Sequence, residues 1–173
     1  MTPHQFGNLG LVDWRQGRFQ QAATHYRQAP ALHRQTGHRP GEADALAGLG
    51  DVFGRQGRYP QVARHYQQAL ALSRETGHQT GEADALNGLG EALLAVSQTD
   101  QACPQHAAAL ALASQIGDTY QQARAHHGLG ACHAVGNPGQ ARRHWQQALI
   151  FYTSLGAPEA DQVRASLHRL GQS

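Results

Sequence analysis

The chain has 173 residues, 40% hydrophobic, 15% charged and 6% aromatic, with 14 basic against 12 acidic residues for a net charge of +2. That apolar share is too high for a disordered chain, and no run approaches the ~18 consecutive apolar residues of a membrane-spanning helix. The opening Met1-Thr2-Pro3-His4-Gln5 lacks the basic start and apolar middle of a secretory signal, so a soluble, cytoplasmic protein is expected. All basic residues are arginine, spread among the acids without a stripe that a phosphate backbone could follow, which argues against nucleic acid as a partner.

Alanine (29) and leucine (18) dominate the apolar set while valine and isoleucine together supply eight residues, a mix that favours helix over sheet. Two cysteines, Cys103 and Cys132, are too few to staple such a chain and read as small buried thiols. GEADALAGLG at Gly41 to Gly50 returns as GEADALNGLG at Gly81 to Gly90, a shift of 40 residues. With that shift Leu9-Gly10, Leu49-Gly50, Leu89-Gly90 and Leu129-Gly130 mark four units, which excludes a linker-rich multidomain chain.

In chain order, His4 to Arg15 reads as the first helix. A second helix after Gly17 contains Pro30, where a lost hydrogen bond costs about 3 kcal/mol and a kink is expected. In unit two Leu46, Leu49, Val52 and Phe53 recur at helical spacing, Gly57 breaks the pattern, and Val62, Ala63, Tyr66, Ala69 and Leu70 resume it. Each unit is therefore a helix, a short turn and a second helix. Pro60 and Pro138 open second helices, and Gly37, Gly77, Gly117 and Gly156 close them as left-handed caps. Unit three departs most: Ser97 and Thr99 replace the turn glycine and aromatic, His106 replaces Tyr66, and Pro104 enters its second helix, so its packing is expected to be the loosest. Asp100 reads as the N-cap of that helix. After Gly156, Val163, Leu167 and Leu170 share a face, as in a capping helix. No comparable cap precedes unit one, which suggests a fragment of a longer chain or an end covered by a partner.

The expected architecture is all-α, an α-solenoid forming a single domain over 1–173, with units at 1–40, 41–80, 81–120 and 121–157 and a capping helix at 158–171. The spaced set Leu46, Leu49, Gly50, Phe53, Gly57, Tyr59, Ala63, Tyr66 and Ala69 resembles the tetratricopeptide repeat, with Val62 where that family usually has a small residue. The 40-residue period, GEADAL-x-GLG, RETG at Arg74 to Gly77 and the ending RRHWQQALIFYTSLGAPEADQVRASL further resemble the C-terminal repeat region of actinobacterial transcriptional regulators. In those proteins an antibiotic-regulatory (SARP-type) or other DNA-binding module and a nucleotide-binding NB-ARC (STAND) switch precede the repeats. The resemblance implies a sensor or oligomerisation arm without ATPase or DNA-binding chemistry of its own.

By tetratricopeptide register, the concave wall exposes Asn8, Trp14 and Arg15 in unit one, Asp44, Asp51 and Arg55 in unit two, Asp84, Asn87 and Glu91 in unit three, and Arg124 and His127 in unit four. Four carboxylates then face the middle of the groove and arginines flank them. Two readings stand: a site for an extended peptide or helix with a basic centre, or ordinary solvated charges, each worth little. Trp14, where unit two has Gly54, is either a binding anchor or a cover for the first unit. The carboxylate clamp of chaperone-binding relatives needs lysines this chain lacks.

No metal and no cofactor are expected. His126 and His133 share a helix face two turns apart, too far for one ion; His25, His65 and His144 recur at one repeat position, a structural one, and clustered histidines suggest sensitivity between pH 5 and 7. The GLG triplets lie mid-helix without a preceding strand, not in nucleotide loops. Nothing resembles a nucleophile with its base, so the chain is read as a non-catalytic interaction scaffold, alternatively a sensor of a peptide or small ligand, with self-association through the first unit.

Overall fold

The computed structural model describes residues 3–172, with the side chains of Pro3, His4, Phe6 and Arg15 outside the description. The described residues form nine α-helices and no strand: α1 (Pro3–Arg15), α2 (Phe19–Gln35), α3 (Arg39–Arg55), α4 (Tyr59–Thr76), α5 (Gln79–Ala95), α6 (Thr99–Ile116), α7 (Thr119–His133), α8 (Pro138–Ser154) and α9 (Glu159–Leu170). Each helix packs on its neighbours in sequence, and α1, α3, α5 and α7 also pack on one another in succession, which is the arrangement of a solenoid of helical hairpins.

The turns show why the pattern repeats. Arg18, Arg58 and Gln98 each donate a backbone N–H to the carbonyl five residues earlier, at 2.8, 3.0 and 2.9 Å, closing the first helix of units one, two and three in the same way. This closure requires a left-handed residue, which Gly17 and Gly57 supply (φ 73° and 69°). Unit three makes the same turn with Ser97 at φ 61°, a serine in a conformation that glycine adopts at lower cost. Gly37, Gly77, Gly117 and Gly156 are all left-handed, as expected. Because the Ser97 turn ends at Gln98, α6 begins at Thr99, so Asp100 lies within the first helical turn rather than at the N-cap. There its charge favours the helix dipole instead of capping a backbone N–H. Pro30 is buried within α2, which continues through it to Gln35.

Between the helices one packing device recurs. A Cβ built on Gly50 would lie 2.7 Å from the Tyr66 ring, and one on Gly88 only 2.1 Å from it. Tyr66 is thus clasped between a glycine of its own hairpin and a glycine of the next, and only hydrogen at both positions lets the three helices meet around it. Tyr26 sits likewise between Gly10 and Gly48, and His106 between Gly90 and Gly128. The expectation of loose packing in unit three does not hold at this position, because His106 has no exposed surface. Asn87 and Gln121 accompany it. The Asn87 amide donates to the Gln121 main-chain carbonyl at 2.9 Å, so its Oδ1 faces His106 and accepts from Nδ1 at 3.1 Å. One buried cluster runs from Ala22 to Ala125, and a second joins α7, α8 and α9 around Trp145, Tyr152 and Val163. The capping helix behaves as read: Val163 is buried, while Arg164 and Arg169 are exposed.

Candidate functional site

The first helices of the hairpins, joined by α9, line a groove that encloses a cavity of about 620 Å³. Seven of the sequence-derived residues border it: Trp14, Asp51, Arg55, Asp84, Glu91, Arg124 and His127. Trp14 reaches from α1 to unit two, where the Arg55 guanidinium stacks over its ring at 5.5 Å. Gly54, the counterpart of Trp14 in register, also borders the cavity, where a Cβ would lie 3.9 Å from Val62.

Three of the other four positions fall elsewhere. Asn8 is exposed but does not border the cavity. Asp44 also lies outside it and accepts a hydrogen bond from His78 Nε2 at 3.0 Å. Asn87 is a correction: it is fully buried, because its side chain turns inward to satisfy His106 and Gln121. The side chain of Arg15 lies outside the described residues.

The charge pattern is also corrected. Arg124 does not flank the carboxylates but sits among them, with 11% of its side chain exposed. Its Nε and Nη2 donate to the two oxygens of Glu91 at 3.0 and 2.9 Å, and its Nη1 donates to Asp84. Gln121 adds a bond to Asp84 at 3.1 Å. A fork of this kind is a strong, directional pair that holds α5 against α7. The consequences differ among the carboxyls. Glu91 is held below its ordinary pKa: burial opposes ionisation, but the guanidinium outweighs it. Asp51 accepts a hydrogen bond from the Tyr66 hydroxyl yet is pushed up to about 7, first by burial and then by the Asp84 charge.

Sequence reasoning missed the far wall. Tyr120, Tyr152, Glu159 and Gln162 complete the cavity from α7, α8 and α9, and the Tyr120 hydroxyl donates to Glu159 at 2.9 Å. The available signal was that α9 occupies the first-helix position of a fifth unit, so its inner face prolongs the groove as well as covering α8. His127 packs edge-on against Tyr152, and burial lowers its pKa, which favours a neutral ring.

The recurring histidines each meet the preceding first helix. His25 bonds to Asp13 at 2.8 Å, His65 stacks on Phe53 at 5.3 Å, and His144 meets His126 at 2.9 Å between ring nitrogens. His144 also stacks on His133, yet among the described residues no three metal-binding side chains converge on one point. Burial and the adjacent Cys103 thiol push Cys132 up to about 12, far from a reactive thiolate.

The Tetratricopeptide repeat family model matches residues 5–75 and 81–149. The chain belongs to the tetratricopeptide repeat family. No curated protein matches the sequence of this tetratricopeptide repeat chain. Solved structures similar to it include a Rap protein complexed with competence and sporulation factor, at 20% identity and a TM-score of 0.82, covering 93% of this chain and 46% of the Rap chain. Aspartyl phosphate phosphatase F from Bacillus subtilis is similar at 14% identity and a TM-score of 0.81, covering 97% of this chain and 44% of that one. BtubC from P. vanneervenii is similar at 19% identity and a TM-score of 0.78, covering 98% of this chain and 71% of that one. The tetratricopeptide chain thus spans about half the length of the Rap structure, and identities this low establish the shared fold alone. Among the described residues no helix is long and apolar enough to cross a membrane.

Proposed function

We propose that this tetratricopeptide repeat chain is a non-catalytic interaction scaffold in the cytoplasm, whose concave groove holds an extended peptide or one helix of a partner protein. The observation that carries this reading is the cavity itself. It is about 620 Å³, walled by Trp14 and Tyr59 at one end and Tyr120 and Tyr152 at the other, with charged side chains between them. Aromatic anchors around a polar centre suit a peptide better than a purely apolar metabolite. The solved complex of a Rap protein with competence and sporulation factor supports the reading by analogy of fold. Asp51, Asp84, Glu91 and Glu159 outnumber Arg55 and Arg124 along the groove, which favours a partner with a basic centre. The resemblance of the repeats to those of SARP and NB-ARC regulators supports a role as the sensor or oligomerisation arm of a larger bacterial transcriptional regulator. Display selection of peptides on the chain, repeated with Trp14→Ala, tests the groove; loss of the selected peptides in the variant is expected, and unchanged recovery overturns the reading.

Self-association through unit one is a second reading, favoured by a specific observation. Val12 is 44% exposed, whereas Val52, its counterpart one repeat later, is fully buried within the core. A second copy covering this face would bury the missing surface. Light scattering over a concentration series is expected to show a dimer that Val12→Glu dissociates; a monomer throughout rejects it.

A further inference from the structure

The repeat places chemically unequal residues at equivalent positions, and one junction is short of a cation. With the 40-residue shift, Asp51, Glu91 and Ala131 share one register position, and Asp44, Asp84 and Arg124 share another. Between units three and four the two positions carry opposite charges, and Arg124 forks onto Glu91. Between units two and three the same positions are both acidic, Asp51 on α3 and Asp84 on α5, two helices that pack together along the cavity wall.

One guanidinium, Arg124, serves Asp84 as well as Glu91, and Asp51 makes no ion pair among the described residues. The Arg124 nitrogens are committed to Glu91, Asp84 and Gln121. Tyr66 donates to one Asp51 oxygen, and Arg124 and Gln121 both address the same Asp84 oxygen, Oδ1. The second oxygen of each aspartate makes no hydrogen bond among the described residues. The charged and titratable groups acting most strongly on Asp51 are Tyr66 from α4, Asp84 and Glu91 from α5, and Arg124 from α7. Both aspartates border the cavity, so whatever supplies the missing charge arrives through the groove.

We propose that the groove selects a segment bearing an arginine, whose guanidinium lies between Asp51 and Asp84 in the place that Arg124 takes against Glu91 one repeat later. The inference rests on the groove reading above and assigns the specificity-determining role to Asp51. A guanidinium suits the place better than a compact ammonium because the internal template is itself a planar fork matched to carboxylate oxygens. The bound cation also keeps Asp51 ionised, so capture strengthens as pH rises through 7.

The test uses the whole chain and displayed random nonapeptides. Selected peptides are synthesised with arginine and with citrulline, which keeps the shape and removes the charge, and titrated calorimetrically against the chain and its Asp51→Asn variant. The expected result is an arginine in the selected peptides, about a 10-fold or greater loss of affinity with citrulline, and a similar loss for the arginine peptide in Asp51→Asn. Peptides that need no arginine, or equal affinity for the citrulline form, overturn the cation site while leaving the groove reading intact. Recovery of no peptide overturns both. The citrulline comparison uses the unaltered chain, so it decides even where the variant fails to fold. Calcium ion alone displacing the arginine peptide at micromolar concentration reassigns the two aspartates to a metal and also overturns the proposal.

Discussion

Replacing Asp51 by asparagine should stabilise the fold at neutral and alkaline pH and do little in acid. The unfolded chain releases this proton near the ordinary 3.8, whereas burial and then the Asp84 charge hold it on the folded chain to about 7. Between those values the folded state carries the extra proton, so stability falls as pH rises through the window and is lowest above 7. At ~1.4 kcal/mol per pH unit, a rise of about 3 sets an upper limit near 4 kcal/mol. Asp51 keeps some contact with groove water, and screening reduces the expected gain to about 2 kcal/mol. Asparagine preserves an acceptor for the Tyr66 hydroxyl, so the substitution removes charge without creating a cavity. Urea unfolding of both proteins at pH 4, 6 and 8 measures the effect, and the difference between them isolates Asp51 from the histidines. A difference that does not vary with pH, or an original chain that is the more stable at pH 8, would refute the reasoning.

Gly88→Ala should cost roughly 1–3 kcal/mol, since the new Cβ lies 2.1 Å from the confined Tyr66 ring, whereas Gly54→Ala, whose nearest neighbour is Val62 at 3.9 Å, should gain up to about 1 kcal/mol of helix propensity; urea midpoints of the two variants give the contrast. Arg124→Leu should lose about 3 kcal/mol, because it removes the shared cation partner of Glu91 and Asp84, with the loss shrinking in acid as Glu91 protonates. His106→Tyr, although it restores the residue of unit two, should destabilise by about 1–3 kcal/mol by stranding the Asn87 amide, and adding Asn87→Ala should recover part of that, a coupling that a double-mutant cycle reads directly. His106 and His126 are held down to about 4 by burial, so the unfolded chain takes up their protons first, and stability should fall as pH drops from 6.5 towards 4 in a denaturation series on the Asp51→Asn protein.

The repeat was legible because its determinants act over short distances. Gly17 and Gly57 turn the chain where a left-handed residue is needed, and Tyr26 and Tyr66 recur with the glycines that make room for them. Asp13 illustrates what register alone conceals. It stands where unit two has Phe53, yet both are served by the same neighbours: Arg18 and His25 bond to Asp13, while Arg58 and His65 stack on Phe53. Asn87 was misplaced for a related reason. The register position is an exposed one for an ordinary residue, but His106 and Gln121 together offered its amide three hydrogen bonds in the interior, and a buried amide so satisfied has no reason to face water.

The sequence by itself determined the helical hairpins, their number and the helix that covers the last of them, because turn chemistry and helical spacing are written within about 40 residues. Only the tertiary structure decided which charges in the groove cancel. Arg124 meets Glu91 and Asp84 across separations of 33 and 40 residues, on helices whose approach depends on every glycine and aromatic between them. Coulomb interactions follow distance in space rather than along the chain, so a row of similar acidic positions resolves into two that pair with Arg124 and a third, Asp51, that makes no ion pair among the described residues.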